Sequence, residues 1–251
     1  MMEQSPDGRS EMLADTYGHG YLDWKDWSSD KFGVLESADA RYFASEIKNI
    51  GSHFPPGSEV LEIGFGNGKF LKFAQNNRWN IRGLEINQQL VNMATERGFE
   101  AFCTDSLRMF EDASFALVVA FDVLEHIDQN KLLTFLEEVK RVLKPNGHFL
   151  ARFPNGDSPF GLAYQNGDIT HVTSLGSGKI EYFAKKLSVD LVYLSGEQEK
   201  LIGRNSFSTL RRVLSFFMRK AVALFIHAAF YPRKNFCSSN LVVVFRKSTR
   251  V

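Results

Sequence analysis

The stretch Val60-Leu61-Glu62-Ile63-Gly64-Phe65-Gly66-Asn67-Gly68 constrains the fold more than any other part of the chain. An apolar run with the length and β-branched content of a buried strand stops at a glycine cluster. Lys69-Phe70-Leu71-Lys72-Phe73-Ala74 then continues with helical spacing. Strand, tight turn and helix follow one another within about fifteen residues, as in an α/β unit. Glycines in the turn reach backbone angles closed to other residues, and the helix start aims unpaired N–H groups at whatever fills the crevice. The stretch therefore reads as a nucleotide-type site.

Spacing decides which nucleotide. A dinucleotide fingerprint wants Gly-x-Gly-x-x-Gly with a small third residue where helix and strand pack. Here that position is Lys69, and the third glycine comes one residue early. Glu62 points the same way, because a carboxylate at the strand end suits an ammonium and repels a phosphate. At these residues the chain resembles the class I S-adenosylmethionine-dependent methyltransferases, whose first motif is an acidic residue, any residue, then Gly-x-Gly-x-Gly. Glu62 through Gly68 match that motif in full. The resemblance implies S-adenosyl-L-methionine as cofactor, its methionine end held by Glu62, Gly64, Phe65 and Gly66. It also implies a doubly wound, Rossmann-like α/β fold with a seven-stranded sheet whose last strand is antiparallel.

Later segments fit that frame in order. Ile81–Glu85 reads as a second strand ending in a carboxylate, and Glu85 is expected to accept hydrogen bonds from ribose hydroxyls. Leu90, Val91 and Ala94 mark a helix, and Phe99–Phe102 a third strand. Asp105 and Ser106 then match the family position that meets the adenine amino group; a turn-capping Asp is the alternative. Phe115–Phe121 is a fourth strand, and Asp122-Val123-Leu124-Glu125-His126 resembles the family's Val-Leu-Glu-His element at the reaction centre. Asp122 joins the expected cofactor set.

His126 has three readings: general base, structural histidine, or metal ligand with Asp122 and Glu125 at i, i+3 and i+4. Some quinone O-methyltransferases that the chain resembles place a metal at such an element, but none is expected here. Leu132, Leu136, Val139 and Leu143 form a helical stripe that stops at Lys144-Pro145-Asn146-Gly147, followed by a strand over His148–Arg152. Asp168-Ile169-Thr170-His171 resembles an Asp-x-Thr-His element of methyltransferases that serve glycan and envelope synthesis. His171 is thus the first candidate for a base, with Asp168 or Asp157 orienting it, and a loop held by its own side chains is the alternative. A helix around Ile180–Leu187 and strands Leu191–Leu194 and Leu241–Phe245 complete the core.

Expected organisation is an N-terminal arm and entry helix over 1–54, a cofactor-binding core over 55–195, a basic amphipathic helical insert over 196–239, and a last strand and tail over 240–251. Ser37 is read as the N-cap of an entry helix over Ala38–Ile50, and Tyr17–Trp27 as an aromatic segment that folds over the core or the ligand. Thirty Lys and Arg against 29 Asp and Glu hide an asymmetry, because no acid follows Glu199 while eleven Lys and Arg do. The segment 206–231 places Leu210, Leu214, Phe217, Ala221, Leu224, Phe225 and Ala228 on one helical face. It is expected on an anionic membrane surface, the alternatives being the protein's own sheet or a second subunit in a homodimer.

No stretch is read as long enough to span a bilayer, no signal-peptide pattern stands at the start, and Cys103 and Cys237 match no metal or disulfide scaffold. A cytoplasmic enzyme, peripheral on the inner membrane face, is expected. The leading function is O-methylation of a sugar or glycolipid intermediate of envelope polysaccharide synthesis, with a lipid-linked or small-molecule sugar as partner. A quinone or phenolic-lipid O-methyltransferase is the alternative, and a non-catalytic cofactor-binding or membrane scaffold the reading from another class. No nucleic-acid partner is expected, since an Asn/Asp-Pro-Pro-Tyr-type motif does not follow the fourth strand.

Overall fold

A computed structural model describes residues 19–197, 205–230 and 237–249. Tyr17 and Gly18 of the aromatic segment, and the insert's flanks at 198–204 and 231–236, lie outside the described residues. Strands β1 (Glu59–Ile63), β2 (Asn80–Glu85), β3 (Glu100–Cys103), β4 (Phe115–Phe121), β5 (Leu143–Pro154), β6 (Asp190–Gly196) and β7 (Asn240–Arg246) form one sheet in the order β3-β2-β1-β4-β5-β7-β6. β1 to β5 run parallel, and β7 pairs antiparallel with both β5 and β6. The expected seven-stranded α/β fold is observed.

Alternation along the central strands explains two-sided burial. Leu61 and Ile63 enter the core on one face with Phe149, Phe153, Val243 and Phe245, whereas Val60, Leu117, Leu150 and Val242 enter the other. The helices cover these faces. The entry helix α2 (Ser37–Lys48) and α3 (Lys69–Asn76) bring Phe43, Phe70 and Phe73 to one side, while α5 (Leu132–Val142) and α7 (Ser177–Leu187) bring Leu136 and Ile180 to the other. Each such fully buried side chain contributes about 1.5–3 kcal/mol. α4 (Gln88–Glu96) buries Leu90, Val91 and Ala94, and the Asn87 side chain caps it by accepting from the Gln89 and Leu90 amides.

Three boundaries differ from the sequence expectation. Glu36, not Ser37, is the N-cap of α2, and Ser37 is its first helical residue. Lys144-Pro145-Asn146-Gly147 is not a loop after a helix, because β5 starts at Leu143, pairs it with Phe115, and takes up the irregular register between Phe115 and Leu117. The 206–231 stripe belongs to α8 (Ser206–Phe230), a continuous 25-residue helix containing an 18-residue window of mean hydropathy 1.6. At 1.5 Å per residue it is about 37 Å long, so length does not forbid a bilayer crossing, contrary to expectation. α8 buries no residue, which removes the protein's own sheet as its partner.

The strand order reverses between β1 and β4. In such sheets the crevice outside the carboxyl ends at that point receives the ligand. Ile63, Glu85, Phe121 and Pro154 all close their strands at this edge.

Candidate active site

A cleft of about 1780 Å³ opens at this edge. A pocket for one drug-sized ligand has roughly 300–1,000 Å³, so there is room for two ligands. On one side lie Glu62, Gly64, Gly66, Glu85, Asp105 and Ser106. Gly64, Gly66 and Gly68 have φ of 65°, 50° and 72°, the left-handed region that side chains disfavour. A Cβ on Gly64 would stand 2.6 Å from Val123 Cγ2, and one on Gly66 2.8 Å from Trp27.

The two carboxylates of this side are in different states. Glu62 is buried with Oε2 unpartnered, and burial, reinforced by the charge of Glu85, pushes its carboxyl well above the usual range. A cation placed there would reverse that penalty. Glu85 is raised by burial too, but Oε2 accepts from the Gly66 amide at 3.1 Å and Oε1 from Ile86 and Asn87 at 2.8 and 3.2 Å. These bonds hold the glycine turn against the end of β2. The orphaned oxygen of Glu62, the glycine cradle and the cleft together fit S-adenosylmethionine, whose α-ammonium supplies the missing cation. Glu85→Ala should lower S-adenosylhomocysteine affinity ten- to hundredfold, about 1.5–3 kcal/mol. Calorimetry checks this, and unchanged affinity would remove Glu85 from the site.

A further part of the lining is built by two segments distant in sequence. Residues 124–126 form one 3-10 turn after β4, and the 168–173 loop docks on it through the Val172 and Thr173 amides, which donate to the Glu125 carbonyl at 2.9 and 3.0 Å. His126 and His171 thereby stack edge to face with centroids 4.6 Å apart. His126 Nδ1 lies 3.3 Å from the Thr170 carbonyl, which can only accept, so Nδ1 carries the proton and also meets Thr170 Oγ1 at 2.9 Å. His171 Nε2 is 3.7 Å from Asp168 Oδ2 and 4.0 Å from Glu125 Oε1. Asp168 is in turn held by Lys25 at 2.9 Å and by the Thr170 hydroxyl at 2.5 Å.

Electrostatics follow from burial. Both Glu125 oxygens are buried without a hydrogen-bond partner, and desolvation with nearby Asp122 raises its carboxyl well above the usual range. Desolvation lowers His126 to about 4 and His171 below the ordinary imidazole value, so both rings are neutral at pH 7. Ligand atoms of Glu125, His126 and His171 lie within 4.8 Å of one another, the candidate metal-binding group among the described residues.

Residues 61–151 match the protein family described as Methyltransferase domain. This domain belongs to the class I S-adenosylmethionine-dependent methyltransferases. The chain is 32% identical over 125 residues to an uncharacterized protein of Methanocaldococcus jannaschii, covering 49% of this chain and 57% of that one. It is 33% identical over 97 residues to the human protein named Probable tRNA methyltransferase 9B, covering 38% of this chain and 21% of that one. A SAM dependent methyltransferase from Archaeoglobus fulgidus shares the fold, with a TM-score of 0.66, 18% identity and coverage of 92% and 100%.

Several expected site residues also make contacts that the sequence did not indicate. Phe65 lines the cleft, and its ring is buried against Gly83, Leu71 and Phe32. Asp122, at φ 57°, lines the cleft and is held by the Arg152 guanidinium, and the group with metal-ligand spacing is Glu125, His126 and His171 in place of Asp122, Glu125 and His126. Asp157 does not orient His171, because its Oδ2 accepts from the Ser177 amide at the start of α7. Ser106 caps the Leu107–Met109 turn through Arg108 N, while Asp105 lines the cleft.

Lys25 and Trp27, in the segment expected to fold over the core or the ligand, line the cleft, as does Arg152, which the sequence reading missed. Trp27 and Phe32 pack on Gly66 and Gly68, and the Gly33 amide donates to the Asn67 carbonyl at 2.7 Å, so the segment after α1 (His19–Trp24) closes over the glycine turn. The aromatic run was the available signal; its target was not.

Proposed function

We propose that the chain transfers the methyl group of S-adenosylmethionine to a hydroxyl oxygen of a sugar or glycolipid, with His171 as the base. One observation carries the reading: a buried, unpartnered Glu125 beside a neutral His171 in the lining of the same cleft. The bound cofactor supplies a methyl already activated by the sulfonium charge. What the chain must add is position and a proton acceptor. A proton taken at His171 Nε2 arrives within 4.0 Å of both Asp168 and Glu125, so the imidazolium forms beside the Asp168 carboxylate and the buried Glu125 carboxyl. Lys25 and Thr170 keep Asp168 ionised and in place, and His126 holds the loop through Thr170.

Carboxylates outnumber Lys and Arg among the cleft-lining residues, which favours a neutral polyol over a phosphate-rich acceptor. A tRNA acceptor is the second reading, favoured by the human relative's name, although that similarity spans 38% of this chain. Incubating the purified chain with methyl-labelled cofactor and fractionated cell extract separates them. Label in polysaccharide or lipid is the expected result, and label confined to nucleic acid would overturn it.

A further inference from the structure

We infer that α8 is an in-plane membrane anchor: it lies in the lipid interface beside the mouth of the cleft and does not cross the bilayer. Three observations combine. First, none of the helix's residues is buried by the rest of the chain, and while Ser208, Arg212, Val213 and Phe216 are half-buried, Phe207, Phe217, Leu224, Phe225 and Phe230 are each more than 60% accessible. Such a run of large apolar side chains is far beyond the scattered exposure of an ordinary surface.

Second, topology forbids a crossing. β6 ends at Gly196 and β7 begins at Asn240, and the two strands pair with Gly196 opposite Leu241. A helix that crossed once would leave its two flanks on opposite sides of the membrane. One flank would then have to recross to rejoin the same sheet. Only the nine residues 197–205 or 231–239 are available, against the roughly 20 that a spanning helix needs. Nine residues reach at most about 33 Å when fully extended, and extended backbone in hydrocarbon leaves its N–H and C=O groups without partners. Length and hydropathy admit a span; the sheet pairing excludes it.

Third, charge and patterning fit a lipid surface and not a soluble partner's core. Ser208, Arg212, Ser215 and Arg219 recur at helical spacing opposite the Leu210, Leu214, Phe217, Leu224, Phe225 face. No acid follows Glu199, so nothing in the C-terminal 52 residues repels anionic headgroups. The strand ends that flank the helix reach the cleft: Asn240 lines it and donates to Glu197 at 3.0 Å, and Glu197 lies 3.8 Å from Arg152. An acceptor borne by the membrane would therefore enter beside its own anchor.

The test uses the full chain and vesicles of phosphatidylcholine alone or with phosphatidylglycerol. Flotation should rise with the anionic lipid, fall with salt, and drop about tenfold or more in a Phe217→Asp, Phe225→Asp double variant that still binds S-adenosylhomocysteine. In a Cys103→Ser, Cys237→Ser background, Ser206→Cys and Phe230→Cys should both react with an impermeant maleimide added outside intact vesicles. Protection of one end alone would overturn the in-plane placement. A protein that ignores both vesicle types and is dimeric through α8, becoming monomeric in the double Asp variant, would replace the membrane by a second subunit.

Discussion

Gly64→Val should abolish measurable S-adenosylhomocysteine binding, a loss of more than a hundredfold, and destabilise the protein by about 2–5 kcal/mol. Two effects add. Gly64 sits at φ 65°, where a β-branched residue is strongly disfavoured, and its new Cβ would meet Val123 Cγ2 at 2.6 Å. The backbone must move, and the Gly64 amide, now donating to the Leu84 carbonyl at 2.7 Å, loses its partner. Gly57 is the control. It has φ 83° with open space around it, so Gly57→Ala should cost only about 1 kcal/mol of strain and leave affinity intact. Titration calorimetry and thermal unfolding read both variants. Retained affinity in Gly64→Val would show that the cofactor does not use this turn.

His171→Ala should lower turnover by about 10²–10⁴ at saturating acceptor, with S-adenosylhomocysteine affinity unchanged. Burial holds His171 below the ordinary imidazole value, so the neutral base is fully present at pH 7. Activity should therefore stay level through neutrality and fall only on the acid side, below the pH at which a free imidazole titrates. The variant should lose that acid limb. Stability has the same sign for His126, which is lowered to about 4: between the unfolded value near 6.5 and 4 the unfolded chain binds the extra proton. Acidification through that window should weaken the fold, and His126→Gln should flatten the slope. A turnover in His171→Ala that matches the unsubstituted protein from pH 6 to 9 would transfer the role to unassisted methyl transfer.

The glycine turn and strand pattern were legible because local chemistry dictates them. Alternating apolar residues specify strands buried on both faces, and Gly64, Gly66 and Gly68 supply the positive φ values of the turn. Sequence order, with a carboxylate one residue before the end of β1 and another closing β2, then pointed to the carboxyl edge of the sheet. Periodicity likewise identified α8 as amphipathic. All of these signals act within a few residues of one another, so no knowledge of distant contacts was needed.

Contacts between distant segments decided the rest. Only the docking of the 168–173 loop on Glu125 brings His171 beside His126, 45 residues away, and only the folded sheet pairs Asp122 with the Arg152 guanidinium. Only the neighbouring strand shows where the Phe65 ring goes, into the space that Gly83 leaves by having no side chain. Lys25 looks like one charge in an exposed arm until it meets a buried Asp168. Pairing of Gly196 with Leu241 likewise brings together the two strand ends that flank α8, a fact that helical periodicity alone does not carry. Side-chain spacing records which face of an element is apolar; which charges are desolvated, and by whom, depends on the packing of the whole chain.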